Sequence, residues 1–321
     1  MKSRTRLTVV FGTCNRAPIL SDTLEYMCQV DKSGLEVNFV IVDNNSVDET
    51  RTVVESYRDR LSIRYLLEPR KGKNRALNLA LQHGGFHPLV VFTDDDVKPA
   101  ADWLQAIVEV TRRWPGHHVF GGRIVPTWPV ANPPAWVHDS HIRQLAFAAH
   151  DMGEEKPYEP TVQPFGPNFW CRREVLTPDV RFDESVGPGT GTLGDEVMFL
   201  HTLQKRGYEI IHSPASCVEH RIQPEGICVK KLEQRALMVG RIGPNMYGLC
   251  SPETLSRAPS LWRLLRYIRL NQARIGLLRA RLHRDTHQRI VRSIGPLIDI
   301  GYNEESLRLA RGRSVRRMTA A

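Results

Sequence analysis

The chain has no apolar run of the roughly 18 residues needed to span a bilayer. Its opening Met1–Arg6 leads straight into a short β-like run, with no apolar signal segment. There is no C-x-x-C pair: six cysteines stand singly at 14, 28, 171, 217, 228 and 250. Scattered cysteines argue against a zinc site and fit a reducing compartment. The expected location is the cytoplasm, with peripheral attachment to the inner face of the membrane left open. No Walker A sequence occurs, which tells against an NTPase. Nor is there an internal repeat, a low-complexity tract or, from residue 251 onward, any lysine. With 321 residues and 41% hydrophobic content, the chain has enough to build a full-sized core.

The net charge of +9 is unevenly placed. Residues 251–321 hold 15 Arg and 5 acidic residues, whereas residues 1–250 hold 29 basic and 30 acidic ones. The basic character belongs to the tail. A boundary near residue 250 therefore divides a domain at 1–250 from a basic, mainly helical extension at 251–321. Within 261–282, apolar side chains at 261, 264, 265, 268, 275, 278 and 282 fit one helical face. Arg263, Arg266, Arg274 and Arg281 fall largely on the other. Two readings are open: an amphipathic helix lying on an anionic membrane surface, or a bundle that packs its leucines on the body with a solvated arginine face.

Short β-branched runs at Leu7–Phe11, Val37–Val42, Ile63–Leu67 and Leu89–Phe92 read as strands. Helical spacing lies between and after them, at Ala17–Val30, Asp48–Arg60, Asn74–His83 and Ala101–Trp114. A further strand follows at Val119–Val125. Continuous apolar strands alternating with helices predict an α/β fold, with a mostly parallel sheet covered on both faces. Ser46 and Glu49 read as a capping box opening the second helix. Residues Pro126–Pro167 lack periodicity and read as a long irregular segment. His117, His118, His138, His141 and His150 are dispersed, and read as surface histidines in preference to a second metal site.

In an open parallel sheet, ligands bind beyond the carboxyl ends of the strands. The first four strands end in Thr13-Cys14-Asn15-Arg16, Asp43-Asn44-Asn45, Glu68-Pro69-Arg70 and Thr93-Asp94-Asp95-Asp96. Four polar tips along one sheet edge describe a site. Three adjacent carboxylates repel one another unless a cation compensates. Hard ions such as Mg²⁺ and Mn²⁺ take carboxylates together with substrate phosphates. The plain alternative is an acidic turn capping the next helix.

The sequence resembles the inverting glycosyltransferases of family 2, which have the GT-A nucleotide-sugar fold. The resemblance covers about residues 6–245 and is carried by TCNR at 13–16, VDNNSVDET at 42–50, KGKNRALNLAL at 71–81, FTDDDV at 92–97, GPNFWCRR at 166–173, LGDEVMFLHTLQKRGYEIIHSP at 193–214 and EHR at 219–221. It implies a donor site of Thr13, Asn15, Arg16, Asp43, Asn44, Lys73, Asp94, Asp95 and Asn168. In this picture Asp43 holds the base, Asp94 turns toward the ribose and Asn168 lines the sugar pocket. Asp96, with Asp94 and His220, would hold Mn²⁺ or Mg²⁺. The acidic pair Asp195-Glu196 would supply the general base, with Glu196 favoured. Cys14 stands where members often carry an aromatic residue, and Asn44 where some carry a second aspartate.

The resemblance implies a hexosyl transfer from a nucleotide-sugar donor, a UDP-sugar as first expectation. The acceptor would be a glycan or lipid-linked hydroxyl, in bacterial-type surface polysaccharide or glycoconjugate synthesis. Residues Gly189–Gly194 read as a loop closing over donor and acceptor. Two rivals differ in class. A sugar nucleotidyltransferase needs a glycine-richer first loop than Gly12-Thr13-Cys14-Asn15-Arg16. A basic nucleic-acid-binding or membrane-binding protein would explain the tail but not the triple aspartate, so no nucleic-acid partner is expected.

Overall fold

In the computed structural model, the described residues are 4–160, 162–187, 193–246 and 259–318. The expected closing loop falls mostly at 188–192, and the expected boundary near 250 falls in 247–258. Both lie outside the described residues. The chain forms two compact units. One comprises Met1–Pro129, Ala148–Gly189 and Asp195–Ile222; the other comprises Val130–Phe147, Thr190–Gly194 and Gln223–Ala321.

The first unit is built on β1 (Thr5–Thr13), β2 (Leu35–Asp43), β3 (Ser62–Leu67) and β4 (Leu89–Phe92). These pair in parallel in the order β3-β2-β1-β4. Beyond β4 the sheet turns mixed: β8 (Phe169–Arg172) runs antiparallel to both β4 and β6 (Val119–Thr127), and β6 pairs in parallel with β9 (Ile210–Arg221). The short β5 (Val97–Pro99) and β7 (Lys156–Pro157) add to β9. Because successive strand side chains point to opposite faces, β1 feeds two cores. Leu7, Val9 and Phe11 meet Leu20 and Leu24 of α1 (Ala17–Gln29) and Ile107 of α4 (Trp103–Arg113). Val10 meets Ala76 and Ala80 of α3 (Lys73–His83) and Leu200 of α6 (Asp195–Lys205). The sheet is thus covered on both faces, as its uninterrupted apolar strands require.

Two local expectations are corrected. The second helix, α2, starts at Thr50 and ends at Ser56, and Ser46 does not cap it. Instead Asp48 Oδ1 accepts from the Thr50 N–H at 3.1 Å, while Ser46 Oγ accepts from the Asn15 N–H. The segment 126–167 is not wholly irregular, because it contains α5 (Ser140–Phe147) and β7. Eight residues are too few for helical periodicity to stand out.

The second unit contains α5, α7 (Val229–Met246), α8 (Pro259–Arg281) and α9 (Thr286–Met318). Close approach between α7 and α9 is made by glycines. A Cβ on Gly240 would lie 2.0 Å from the Ile298 carbonyl oxygen, and one on Gly301 would lie 2.1 Å from that of Leu237. The tail helix α8 packs through Leu270 and Ala273 against Ile300 and Leu307 of α9. The expected seven-residue apolar face is therefore not the packed one.

Candidate active site

Because β1 to β4 are parallel, their tips share one edge, and the turns there are tight. Asn15 and Asn45 follow β1 and β2 with positive φ (52° and 60°), a conformation asparagine tolerates better than most residues. Asn15 Oδ1 accepts from the Val47 N–H at 2.8 Å, tying the first tip to the second.

The triple aspartate divides its work. Asp95 is buried, accepting from Thr13 Oγ1 at 2.6 Å and from Arg16 Nη1 at 2.5 Å. Arg16 Nη1 also donates to Asp96 Oδ2 at 2.9 Å. The other oxygen of Asp96, Oδ1, is buried without a hydrogen-bond partner and lies 3.5 Å from His220 Nε2. Asp94 accepts from Lys73 Nζ at 2.7 Å. Main-chain bonds hold the run in place: Thr23 Oγ1 donates to the Asp95 carbonyl and the Arg221 N–H to that of Asp96. Thr23 and Arg221 escape sequence reasoning, since a helix threonine and a strand arginine carry no signal of that role.

Burial raises Asp95 above the ordinary carboxylate range, with Arg16 opposing. Burial also pushes Asp96 up, but His220 and Arg16 outweigh it and hold Asp96 well below that range. The residues fit a divalent cation. Asp96 presents an ionised carboxylate whose Oδ1 has no other partner, with an imidazole beside it. Among the described residues no three His, Cys, Asp or Glu side chains gather to hold an ion unaided.

The remaining expected residues fall in two groups. Asp43 is buried, accepting from Tyr65 Oη at 2.7 Å and from the Ser46 N–H at 2.8 Å. Burial and this bond push the Tyr65 phenol above its ordinary value. Asn44 and Asn168 are committed to the scaffold. Asn44 Nδ2 donates to the carbonyls of Glu68 and Arg70, and its Oδ1 accepts from the Gly72 N–H. Asn168, expected on the sugar-pocket wall, is 0% exposed. Its Oδ1 accepts from Trp103 Nε1, and its Nδ2 donates to the carbonyls of Arg123 and Ser216, tying β8 to β6 and β9. Trp136, set among prolines, is buried beside Phe147.

Asp195 opens α6, but its side chain lies outside the described residues. Glu196 is half-buried, and Gly166 shows what is near it. A Cβ on Gly166 would meet Glu196 Cδ at 3.3 Å and Lys73 Nζ at 3.5 Å. Glu196, Lys73 and, through Lys73, Asp94 therefore converge on one glycine. The motif around Gly166 is visible in the sequence, whereas the reason for the glycine is not.

A GT-A fold, with an acidic strand-end cluster on the carboxyl edge of its parallel strands, defines the class. The chain belongs to glycosyl transferase family 2, whose family model matches residues 8–177. Validoxylamine A glucosyltransferase of Streptomyces hygroscopicus subsp. jinggangensis (strain 5008) is 33% identical over 106 residues, 32% of this chain and 24% of that one. The matched stretch thus spans about a quarter of that relative's length. Among solved structures, the mannosyltransferase PcManGT from Pyrobaculum calidifontis, in complex with GDP-Man and Mn²⁺, is similar at 20% identity and TM-score 0.58, covering 93% of this chain and 86% of that one. S. aureus TarS 1–349 in complex with UDP-GlcNAc is similar at 15% identity and TM-score 0.51, covering 95% and 91%. At these identities the likeness is one of fold.

Proposed function

We propose that the protein transfers a hexose from a nucleotide-diphosphate sugar to a hydroxyl acceptor with inversion. The observation that carries this is the pair Asp95–Asp96, buried at the strand edge, with Asp96 Oδ1 facing only the His220 imidazole. Asp96 and His220, with Asp94, would hold Mn²⁺ or Mg²⁺, which when bound supplies Lewis-acid neutralisation of the leaving diphosphate. The solved neighbours holding GDP-Man with Mn²⁺ and UDP-GlcNAc support a nucleotide-sugar donor. A UDP-sugar is the first donor to try.

The chain's own groups then have distinct tasks. Asp43, fixed by Tyr65 and Ser46, stands where the nucleoside base would be read. Lys73 carries positive charge beside Asp94, next to the diphosphate's place. Glu196 accepts the proton of the acceptor hydroxyl at its carboxylate, and the freed oxygen attacks the anomeric carbon opposite the departing diphosphate. That single displacement inverts the centre. The acceptor we propose is a glycan or lipid-linked hydroxyl of surface polysaccharide or glycoconjugate synthesis, met at the inner face of a membrane.

Calorimetry with UDP-, GDP-, dTDP- and CMP-sugars, each with and without Mn²⁺, tests the donor site. One nucleotide should bind only in the presence of the cation, and Asp96→Asn should remove that dependence. Cation-independent binding, or an unchanged Asp96→Asn, defeats the proposal.

A further inference from the structure

The helix α8 contains six arginines and no acidic residue, and the structure sorts those arginines in two. Four point to partners within the same unit: Arg263 donates to the Ala310 carbonyl, Arg266 to Asn303 Oδ1, Arg274 to Glu304 and Arg281 lies 3.6 Å from Glu233. Arg266 also sits over the rings of Trp262 and Tyr302. The other two, Arg269 and Arg279, are exposed and have no acidic partner among the described residues. They stand on and beside the face that α9 leaves uncovered. Leu261, Leu264, Leu265, Ile268, Ile275 and Leu278, continued by Leu282 just past the helix end, are between 45% and 83% exposed. Arg279 lies on this face itself, and Asn271 and Gln272 part it into an N-terminal and a C-terminal patch along about 30 Å of helix.

Large apolar side chains gathered on one water-facing side of a helix mark an interface. Among the described residues no helix is long and apolar enough to cross a membrane, so the ridge does not belong to a span. A second copy of the chain is a poor occupant. Pairing this face with itself would set Arg269 and Arg279 against like charges, and α8 has no carboxylate to offset them. A bilayer surface with anionic headgroups meets both demands at once. Its acyl boundary takes leucine and isoleucine, while its phosphates take the guanidinium groups on their extended stems.

We propose that α8 lies in the surface of an anionic lipid bilayer, with the Leu261–Ile268 and Ile275–Leu278 ridge in the acyl boundary and Arg269 and Arg279 on headgroup phosphates. This concerns a face of the second unit and stands or falls independently of the sugar-transfer reading.

The test is co-sedimentation of the full-length protein with vesicles of phosphatidylcholine, alone or mixed with phosphatidylglycerol. The protein should partition onto the mixed vesicles and not the neutral ones. Arg269→Gln with Arg279→Gln should weaken partition about 30-fold, from about 1 kcal/mol per arginine. Leu264→Ser with Leu278→Ser should weaken it at least as much without altering charge or melting temperature. If the leucine pair leaves partition unchanged, binding comes from the diffuse charge of the tail and the ridge assignment is wrong. Light scattering that finds a dimer, converted to monomer by the leucine pair and indifferent to vesicles, assigns the face to a second copy and equally overturns the proposal.

Discussion

Arg16 donates to both Asp95 and Asp96, so its removal would leave two adjacent buried carboxylates without that counter-charge. Breaking a buried ion pair costs about 3–5 kcal/mol. Because the Arg16 side chain is 37% exposed, solvent screening puts Arg16→Ala toward the low end. The expected result is a lower melting temperature that Mn²⁺ raises more than it raises the parent's, since a divalent cation restores the lost charge. A variant melting like the parent, or indifferent to Mn²⁺, would separate Arg16 from the cation site. A second prediction concerns Glu196, which shares the surroundings of Gly166 with Lys73. Glu196→Gln preserves size and removes the proposed proton acceptor, which should lower the transfer rate about 10²–10⁴-fold. Donor affinity, which we propose rests on Asp43 and the aspartates, should barely move. A crippled Asp195→Asn beside an active Glu196→Gln would transfer the base role to Asp195.

At the scale of elements, strands were legible where a β-branched run is buried on both sides, as in β1 and β4, and the acidic tip was legible because like charges so rarely sit together. What escaped depends on partners distant in sequence. Asn168 looks like a ligand-binding polar residue, yet its bonds reach residues 45 to 65 positions away. His150, read as a surface histidine, is buried in a network of the same kind. Its Nε2 is 2.6 Å from Tyr158 Oη, which in turn is 3.2 Å from His212 Nδ1. Burial holds His150 down at about 4 and also lowers His212, which Asp151 partly offsets. Below about pH 6.5 the unfolded chain therefore takes up protons that the folded network refuses. The stability this contributes is fully present above that pH and is lost as pH falls toward about 4. For His150 alone the loss approaches about 3 kcal/mol. Urea denaturation followed from about pH 7.5 to about pH 4.5 should show the decline, and His150→Gln should flatten it. An unchanged slope would mean that other groups set the acid sensitivity.

For the molecule as a whole, charge and packing divide the chain differently. Charge alone suggests a cut near residue 250, leaving a nearly neutral part before it. The packing of the second unit joins residues on both sides of that position. Gly240 and Leu237 of α7 touch the main chain of α9 at Ile298 and Gly301, and Leu237 packs with Ile300 and Leu307. Glycine-mediated contact this close leaves α7 shaped for a helix that the cut would delete. Leu232 and Ala236 of α7 are also buried. Each large apolar side chain returned to water costs about 1.5–3 kcal/mol, so losing cover over two or three of them is comparable with the about 5–15 kcal/mol net stability of a domain. A chain truncated after residue 250 is therefore expected to aggregate or to melt well below the full-length protein, even though the truncation removes the chain's excess positive charge. Gly301→Leu offers a milder version of the same test. Its side chain would be driven into the Leu237 carbonyl, and the full-length variant should melt lower while keeping its net charge. A soluble, cooperatively folded truncation that binds donor nucleotide as the full chain does would show that α7 holds its place without α9.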